Sequence, residues 1–253
     1  MTDFSGQTVV VTGAGGGFGE GIAKRFARLG ANVLALDLNA GEADRVAADI
    51  VAESGIAKAC GADVTSSQDM ARAAGLALEV FGGADILVNN AGITHKNKPM
   101  LEVDEATFDR VFAVNVKSIY LGAVHFVPQM RAKGKGVIIN IASTAGVRPR
   151  PGLTWYNGSK GAAITLTKSM AAELAPDRIR VNAINPVMGA TGMLQDLLPG
   201  EDSEEVRNRI LATIPLGRFS QPRDIANAVT FLASSESDLI TGSILEVDGG
   251  RCV

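Results

Sequence analysis

The chain has 253 residues, and its charges nearly balance, with 24 Lys and Arg against 27 Asp and Glu. This balance argues against nucleic acid as the main partner, because a phosphate backbone requires a cationic protein face. Hydrophobic residues make up 46% of the chain, which provides a sizeable core and excludes wholesale disorder. We therefore expect one domain over residues 1–253, in which the 29 glycines are the unusual feature.

The sequence carries no recognisable targeting or metal-binding pattern. Residues 1–7 lack the charged start and apolar stretch of a signal peptide, and no apolar run approaches the ~20 residues of a membrane span. Cys60 and Cys252 are too few and too scattered for a disulfide framework or a Cys-ligated metal site. We expect a cytoplasmic protein with no metal and with no membrane or nucleic-acid partner.

Seven short apolar runs alternate with helical patterns along the chain. The runs cover residues 8–12, 33–36, 57–60, 85–88, 136–141, 179–184 and 243–247. Apolar residues recur every three or four positions, as in one-sided helices, over 19–29, 40–53, 67–81, 105–130 and 152–175. Nearly continuous apolar strands separated by helices predict a doubly wound α/β domain with a seven-stranded parallel sheet.

One long stretch lacks a regular pattern. Residues 185–203 are irregular and include Gly189, Gly192 and Gly200. A loop of this length inside a compact domain is usually a lid or another mobile segment. We predict a substrate lid over approximately residues 185–213.

A glycine-rich turn lies between the first predicted strand and the first predicted helix. Its sequence, Thr12-Gly-Ala-Gly-Gly-Gly-Phe-Gly19, fails the strict G-x-G-x-x-G spacing but fits T-G-x-x-x-G-x-G. Glycines at this place let the backbone approach a pyrophosphate, and the following helix N-terminus offers N–H donors. Taken alone the cluster could be only a tight turn, but its position favours nucleotide binding.

Asp37 follows the second predicted strand, where an acidic residue can bind the ribose 2′-hydroxyl of a dinucleotide. The alternative is a surface Asp that opens a turn. No Lys or Arg lies within residues 14–18 or directly after Asp37. A 2′-phosphate in contact with this carboxylate would be repelled by roughly 4 kcal/mol at an effective dielectric of about 20. The sequence therefore favours NAD over NADP.

Tyr156 and Lys160 are four residues apart on a predicted helix, so their side chains share a face. A phenol with a pKa of ~10 is a poor base at neutral pH, and a nearby ammonium favours the phenolate. Ser143 follows the fifth predicted strand, at the sheet edge where such folds build sites. An isolated Tyr-x-x-x-Lys is usually a surface pair, but with Ser143 it indicates proton transfer coupled to hydride transfer.

With these features in place, the chain resembles the short-chain dehydrogenase/reductase superfamily over residues 7–250. The further motifs that carry the resemblance are Asp63-Val64, Asn89-Asn-Ala-Gly92, Asn115 and the late run from Gly242 to Gly250. One departure is Pro186-Val187, where the family usually has Pro-Gly, which puts the local loop shape in doubt.

The resemblance implies a Rossmann-type single domain, an NAD(H)-dependent short-chain alcohol dehydrogenase or ketone reductase, and a homotetramer. It implies that Tyr156 is the acid/base, that Lys160 also holds the nicotinamide ribose, and that Ser143 hydrogen-bonds the substrate oxygen. Asn115 is expected to place a water near Lys160 in a proton relay. The cofactor-binding residues that it implies beyond Tyr156 and Lys160 are Thr12, Gly13, Gly17, Phe18, Gly19, Asp37, Asp63 at the adenine, Val64 as a packing contact, Asn90, Ala91, Gly92, Pro186 and Thr191.

The substrate is less strongly indicated. Two loops expected to flank the cleft carry four cations, which would favour an anionic substrate if they converged and would otherwise be solvated. His95 could line the cleft or be a solvated loop residue. The substrate-contact candidates are His95, Arg148, Arg150, Trp155, Met188 and Met193, and the other two loop cations are Lys96 and Lys98.

We expect a secondary alcohol or ketone of the sugar, polyol or hydroxy acid type as the small-molecule substrate. The first alternative is reduction of a 3-oxoacyl thioester on an acyl carrier protein. A second alternative, from a different class, is an NAD-binding sensor or scaffold without turnover. The presence of both Tyr156 and Lys160 disfavours that second alternative, because a sensor could dispense with them.

Overall fold

The computed structural model describes residues 3–189 and 192–253 and contains one seven-stranded sheet. The strand order is β3-β2-β1-β4-β5-β6-β7, and every neighbouring pair is parallel. The sheet confirms the predicted single-domain, doubly wound α/β class. Its strands are β1 (Thr8–Thr12), β2 (Asn32–Asp37), β3 (Ile56–Gly61), β4 (Ile86–Asn89), β5 (Gly136–Ile141), β6 (Ile179–Pro186) and β7 (Ile244–Val247).

Helices cover both faces of the sheet. One apolar cluster joins the sheet to α1, α2 and α9, and a second joins the opposite face to α3, α5 and α6. The helices are α1 (Gly17–Arg28), α2 (Ala40–Ala52), α3 (Ser67–Phe81), α4 (Glu105–Phe112), α5 (Ser118–Lys133), α6 (Thr154–Leu174), α7 (Leu194–Leu197), α8 (Glu204–Leu211) and α9 (Pro222–Ala233).

The alternation of side chains along the strands explains the continuous apolar runs. In β1, Val9 and Val11 join the cluster with α1, whereas Val10 joins the cluster on the opposite face. All three are fully buried. Because successive residues of a strand point to opposite faces, a strand covered on both sides must be apolar at every position.

Two helical predictions need correction. The pattern over 105–130 is interrupted by a π-helical turn, Ala113–Lys117, between α4 and α5. The sequence patterns also do not predict α9, although Pro222 at its start is typical of a helix N-terminus. The Asp224 carboxylate accepts a hydrogen bond from the Gln221 backbone N–H at 2.8 Å and stabilises that first turn.

The segment predicted to be irregular is partly ordered into regular structure. β6 continues through Pro186, Gly189 forms an isolated parallel bridge with Ser220, and α7 follows at Leu194. The short apolar helix α7 packs Leu194 and Leu197 into a third apolar cluster. The predicted lid therefore rests on packed apolar side chains.

Among the described residues, one helical run is long and apolar enough to cross a membrane by length and composition, and it covers residues 105–133. Its α5 part buries Leu121, Phe126 and Met130 in the cluster against the sheet. The run is therefore a core helix of this fold.

A buried polar ladder fixes α6 against the sheet. Asn89 Nδ2 donates to Asn140 Oδ1 at 2.8 Å, and Asn140 Nδ2 donates to Thr167 Oγ1 at 2.9 Å. The Thr167 hydroxyl in turn donates to the Ala163 carbonyl at 2.8 Å. Because buried polar groups are costly unless they are paired, the ladder favours one register of α6 over β4 and β5.

The order of the strands reverses beside β1. The chain passes from β1 to β2 and β3 on one side and then returns to β4 on the other side. At such a point the loops leaving the two central strands diverge and open a crevice at their carboxyl ends. The glycine-rich turn after Thr12 and the Asn90 turn lie at the two sides of this crevice.

Candidate active site

Thr12 and Asn90 tie the two central strands together at the mouth of the crevice. The Thr12 hydroxyl donates to the Val88 carbonyl at 3.3 Å and accepts from the backbone N–H groups of Asn90 and Ala91 at 3.0 Å each. Asn90 Nδ2 donates back to the carbonyls of Thr12 at 2.8 Å and Gly13 at 3.1 Å. Both predicted cofactor residues therefore act on the glycine-rich turn by fixing its start.

The glycine-rich turn needs glycine for close backbone approach. Gly13 has a φ of +63°, and a Cβ at Gly19 would lie only 1.9 Å from the Gly13 carbonyl oxygen. A Cβ at Gly16, by contrast, would meet open space. The turn is thus folded tightly on itself and leaves room on its outer side, where the N-terminus of α1 begins.

Asp37 is bound to the same turn. Its Oδ2 accepts the Gly15 N–H at 2.8 Å, and its Oδ1 accepts the Asn39 N–H at 2.9 Å. The carboxylate lies at the carboxyl end of β2 and lines the same cavity as Gly13. The structure therefore places Asp37 at the crevice, where it also accepts the N–H of the turn before α2.

The side chain of Arg45, on α2, reaches the glycine-rich turn. The sequence next to Asp37 does not reveal this contact. The Arg45 guanidinium donates to the Gly15 carbonyl at 2.9 Å and forms ion pairs with Glu20, Glu42 and Asp49. Arg45 holds the pKa of Glu20 down at about 2, chiefly through their hydrogen bond. The cation is thus already shared among three carboxylates.

Phe18 connects the glycine-rich turn to the start of the predicted lid. A Cβ at Gly189 would lie 2.3 Å from the Phe18 ring, so the ring packs directly on this glycine. Both residues line the cavity. The contact couples the position of the turn to that of the segment after β6.

A cavity of about 380 Å³ extends from the glycine-rich turn to α6. It brings together most of the predicted catalytic and cofactor residues with apolar residues of the predicted lid. Its described lining comprises Gly13, Gly16, Gly17, Phe18, Asp37, Asn90, Ala91, Gly92, Ile141, Ala142, Ser143, Arg150, Tyr156, Lys160, Pro186, Val187, Met188, Gly189, Gly192, Met193 and Leu197.

Lys160 is buried in this cavity with 5% of its surface exposed. Its ammonium donates to the Ile141 carbonyl at 2.9 Å and lies 6.0 Å from the centre of the Tyr156 ring. It forms no ion pair with a carboxylate within the described residues. Burial lowers the pKa of Lys160 to about 8.

Tyr156 is also buried, and burial raises the pKa of its phenol. The hydrogen bond with Ser143 and the positive charge of Arg150 act in the opposite direction. A phenol shielded from water and contacted by a hydroxyl is a suitable proton donor to a bound oxygen. The sequence predicts one cation near this phenol, Lys160, and the structure adds Arg150 as a second.

Asn115 lies in the π-helical turn and is joined to α6. Its Oδ1 accepts the Ile93 N–H at 2.8 Å, and its Nδ2 donates to the Ile93 carbonyl at 2.8 Å and to Ser159 Oγ at 2.9 Å. The Ser159 hydroxyl donates to the Tyr156 carbonyl at 2.7 Å. Asn115 thereby links the β4 turn to the helix that carries Tyr156 and Lys160.

Two positioning residues are missing from the sequence predictions. Ser159 joins Asn115 to Tyr156 as described, and Asn185 Oδ1 accepts the Ser143 backbone N–H at 3.1 Å. Asn185 Nδ2 also donates to the Glu246 carboxylate at 2.8 Å. A polar residue at the carboxyl end of a central strand, where such sheets build sites, is the sequence signal that could have identified Asn185.

The departure at Val187 leaves the chain in an ordinary backbone conformation. The Val187 N–H donates to the Val247 carbonyl at 3.2 Å, and its own carbonyl accepts from the Ser220 hydroxyl at 3.0 Å. Its φ is not positive, so the position does not require the glycine usual in the family. Pro186 and Val187 both line the cavity.

Several predicted contact residues lie outside the cavity lining. Asp63 accepts from Thr65, and Val64 is buried in the cluster with α3. Arg148 is exposed, and its guanidinium contacts the Arg251 carbonyl. Trp155 packs on Phe108 and donates to the Met100 carbonyl, while Thr191 lies outside the described residues.

His95 is buried rather than solvated, with 4% of its surface exposed. Its Nδ1 lies 2.9 Å from the Lys96 carbonyl, so this nitrogen carries the proton. Nε2 is buried and has no hydrogen-bond partner among residues 3–189 and 192–253. His95 therefore presents a buried acceptor beside the cleft without lining it.

The structure brings Cys252 close to two carboxylates, which its position in the sequence does not suggest. The potential ligand atoms of Glu246, Asp248 and Cys252 lie within 4.8 Å of one another. The Asp248 oxygens already accept N–H bonds from Gly250 and Cys252, and Glu246 accepts from Asn185. These three residues are therefore held in place by protein hydrogen bonds.

The residues of the crevice fit a nicotinamide dinucleotide. Open space at Gly16 beside the N-terminus of α1 suits a pyrophosphate, and Asp37 suits a ribose hydroxyl. Tyr156 and Lys160 lie at the other end of the same cavity. The site can thus bind a nicotinamide and place a proton donor and a cation beside a substrate oxygen.

Comparisons with known proteins agree with this arrangement. A family model described as enoyl-(acyl carrier protein) reductase matches residues 13–251. The chain is 49% identical to 4-formylbenzenesulfonate dehydrogenase of Comamonas testosteroni over 97% of both proteins. It is 40% identical to 2-(S)-hydroxypropyl-CoM dehydrogenase 3 of Xanthobacter autotrophicus over 96% of both. It also matches an NADH complex of 3-ketoacyl-(acyl-carrier-protein) reductase from Brucella melitensis, with 43% identity, a TM-score of 0.92 and coverage of 99% and 100%.

The buried charge of Lys160 predicts a pH-dependent effect of its removal on stability. The pKa of Lys160 is about 8 in the folded protein, below the ordinary lysine value of 10.5, so folding is penalised while the ammonium stays protonated. That penalty is complete below pH 8 and is relieved as the pH rises from about 8 to 10.5. We compare the free energies of unfolding of the wild type and of Lys160→Met. Between pH 8 and pH 10.5 we expect the value for the wild type to rise, relative to that of the variant, by up to about 3 kcal/mol.

Urea denaturation at pH 7 and pH 10 measures this difference. The exposed Lys168 lies on the same helix, and Lys168→Met is the matched control. A pH-independent difference for Lys160→Met, equal to that for Lys168→Met, would contradict the expected penalty.

Proposed function

The chain belongs to the short-chain dehydrogenase/reductase superfamily, and on this basis we propose that it is an NAD(H)-dependent oxidoreductase of secondary alcohols and ketones. The observation that carries the proposal is the single cavity shared by the glycine-rich turn, Ser143, Tyr156 and Lys160. A cofactor fold alone would bind a dinucleotide. A buried phenol with a hydroxyl and an ammonium beside it supplies acid–base chemistry at the same place.

The bound nicotinamide supplies or accepts the hydride. Tyr156 donates a proton to the substrate oxygen during reduction and takes it back during oxidation. Ser143 holds that oxygen by a hydrogen bond, and Asn185 fixes the backbone of Ser143. The positive charge of Lys160 stabilises the phenolate form of Tyr156. The Lys160 ammonium donates one hydrogen bond to the Ile141 carbonyl, and its remaining N–H groups can donate to a ribose hydroxyl or to a water beside Asn115.

The charge around Asp37 supports NAD rather than NADP. Asp37 lies on the cavity wall, and Glu20, Glu42 and Asp49 already neutralise the nearby Arg45. A 2′-phosphate would therefore meet a carboxylate without a spare cation close by. The Brucella melitensis relative in complex with NADH is in line with this preference.

Residues 185–213 are proposed to form the substrate lid. Their apolar side chains Met188, Met193, Leu194 and Leu197 pack in the same cluster as Tyr156. Such a cover excludes water from the phenol while it is closed, which strengthens the electrostatic interactions inside.

The substrate proposal is a compact secondary alcohol or ketone of the sugar, polyol or hydroxy acid type. A second candidate is a 3-oxoacyl thioester, because a solved relative is named as a 3-ketoacyl-(acyl-carrier-protein) reductase. The cavity of about 380 Å³ and its polar catalytic end suit a small substrate of either class.

A homotetramer is proposed as the assembly. Tyr120 and Val124 are four residues apart on α5, and their side chains are exposed by 61% and 44%. An apolar stripe of this kind on a long helix suits contact with a second copy. Sedimentation equilibrium tests the assembly, and a monomer at all protein concentrations would overturn it.

Replacing Asp37 is expected to relax the cofactor preference. In Asp37→Ser the ratio of kcat/KM for NADP to that for NAD should rise at least tenfold, because the repulsion of the 2′-phosphate is removed. Asp44→Ser is the matched control, since Asp44 is an exposed carboxylate of α2 that does not line the cavity. An unchanged ratio in Asp37→Ser would remove Asp37 from this role.

The activity itself is tested by the change in nicotinamide absorbance with NAD and a panel of polyols, sugars, hydroxy acids and 3-hydroxyacyl thioesters. Tyr156→Phe should lose roughly 100- to 10,000-fold in kcat while NADH binding is retained. Tyr120→Phe, at the exposed second tyrosine, should behave as the wild type.

Three other results of these experiments would contradict the proposal, each at a different point. Turnover of thioesters alone would support the second candidate. Stabilisation by NAD without turnover of any panel member would support a sensor or scaffold. Near-normal kcat in Tyr156→Phe would remove the phenol from catalysis.

A further inference from the structure

Arg150 lies on the wall of the catalytic cavity, in the loop between β5 and α6. Its side chain is half-buried and lines the same cavity as Ser143, Tyr156 and Met188. Its charge acts on the Tyr156 phenol. The proposed reaction does not use this guanidinium.

Arg150 has no acidic partner, in contrast to many arginines of the chain. Within residues 3–189 and 192–253 it forms no ion pair, whereas Arg28, Arg45, Arg72 and Arg218 each pair with a carboxylate. The hydrogen bond recorded at Arg150 uses its backbone carbonyl, which accepts from Asn157 Nδ2 at 2.9 Å. That bond positions the loop and leaves the guanidinium available.

The surroundings of Arg150 add positive charge. Burial lowers the pKa of Arg150, Tyr156 acts in the opposite direction, and the nearby charge of Arg251 lowers the pKa further. The Arg251 side chain contacts Thr213 Oγ1, and its carbonyl accepts from Arg148. Asp248 is the nearby acid that favours the charge of Arg251, but its oxygens accept backbone N–H groups.

A half-buried guanidinium next to a like charge is unfavourable unless an anion reaches it. Arginine does not lose its proton in proteins, so the charge persists. Its planar donor fork matches the paired oxygens of an oxyanion and binds them in a bidentate manner. The same cavity is also lined by the apolar side chains of Val187, Met193 and Leu197.

We propose that Arg150 binds the anionic group, a carboxylate or a sulfonate, of a compact hydroxy or oxo substrate whose reacting oxygen lies at Tyr156 and Ser143. This inference rests on the proposed function and narrows its substrate class. Within that class it selects hydroxy acids over neutral sugars and polyols.

Arg150 alone among the four loop cations fits this role. Lys96, Lys98 and Arg148 do not line the cavity, so the expected convergence of two cationic loops reduces to one residue. The similar protein from Comamonas testosteroni is named for 4-formylbenzenesulfonate, an anionic aldehyde, which is in line with an oxyanion at this position.

A binding experiment tests the subsite independently of turnover. Isothermal titration calorimetry measures the Kd of benzenesulfonate and of benzoate with the wild type, in the absence and in the presence of NADH. We expect Arg150→Gln to weaken binding of at least one of these anions roughly 10- to 100-fold. Arg148→Gln removes a charge from the same loop outside the cavity and should change the Kd less than twofold.

A kinetic experiment tests the placement of the reacting oxygen. With NAD, the matched substrates are 4-(1-hydroxyethyl)benzenesulfonate and the neutral 1-phenylethanol. Arg150→Gln should raise KM roughly 10- to 100-fold for the sulfonate and leave the KM for 1-phenylethanol within about threefold, so that the ratio of kcat/KM for the sulfonate to that for 1-phenylethanol falls at least tenfold. Arg150→Lys should recover part of the loss, because it keeps the charge and loses the fork.

The outcomes separate the subsite from the proposed function. Binding of the anions that depends on Arg150, without turnover of any alcohol, would sustain the subsite and overturn the proposed function. Equal anion binding by the wild type and Arg150→Gln, or no binding by either, would overturn the subsite. An equal loss of kcat/KM on the two substrates would overturn the proposal, because Arg150 would then act through Tyr156 alone. A loss of NADH affinity equal to the loss of anion affinity would also overturn it, because Arg150 would then bind the cofactor phosphates.

Discussion

The rest of the site must stabilise the buried positive charge of Lys160. No carboxylate in the described parts of the chain pairs with it, so the Ile141 carbonyl and the polar groups near Gly92 must stand in for a counter-ion. A Cβ at Gly92 would lie 3.1 Å from Nζ and 3.3 Å from Asn115 Oδ1, which shows how closely that turn approaches. Strands β4 and β5 and helix α6 must therefore stay in exact register, and the Asn89–Asn140–Thr167 ladder holds them there.

The charges are divided between the two ends of the cavity. At the cofactor end, carboxylates surround the Arg45 cation, and Asp37 stays available to a ribose hydroxyl. At the substrate end, Arg150 has no carboxylate beside it within the described residues. In the proposed function, Asp37 disfavours the extra phosphate of NADP at one end and Arg150 binds the anionic group of the substrate at the other, so both ligands are distinguished by charge.

Much of the fold could be predicted from the sequence because the inner strands of the sheet are buried on both faces. Every position of β1 is apolar or threonine and fully covered, so the run is visible without any partner information. The interruption at Asn115 could not be predicted, since apolar periodicity continues from α4 into α5 while the hydrogen-bond pattern changes to a π turn. The sequence patterns do not predict helix α9, although Pro222 at its first turn is typical of a helix start.

The sequence by itself determined the family and the parallel sheet and indicated the groups proposed for the reaction, because these depend on residue types at short, fixed spacings such as Tyr156 to Lys160. Only the tertiary structure decided which distant side chains share the cavity. It placed Arg45 on the Gly15 carbonyl and left Trp155, Arg148 and both loop lysines outside the cavity. The physical reason is that the direction of a loop side chain is set by long-range packing and hydrogen bonds, such as that from Asn157 to the Arg150 carbonyl.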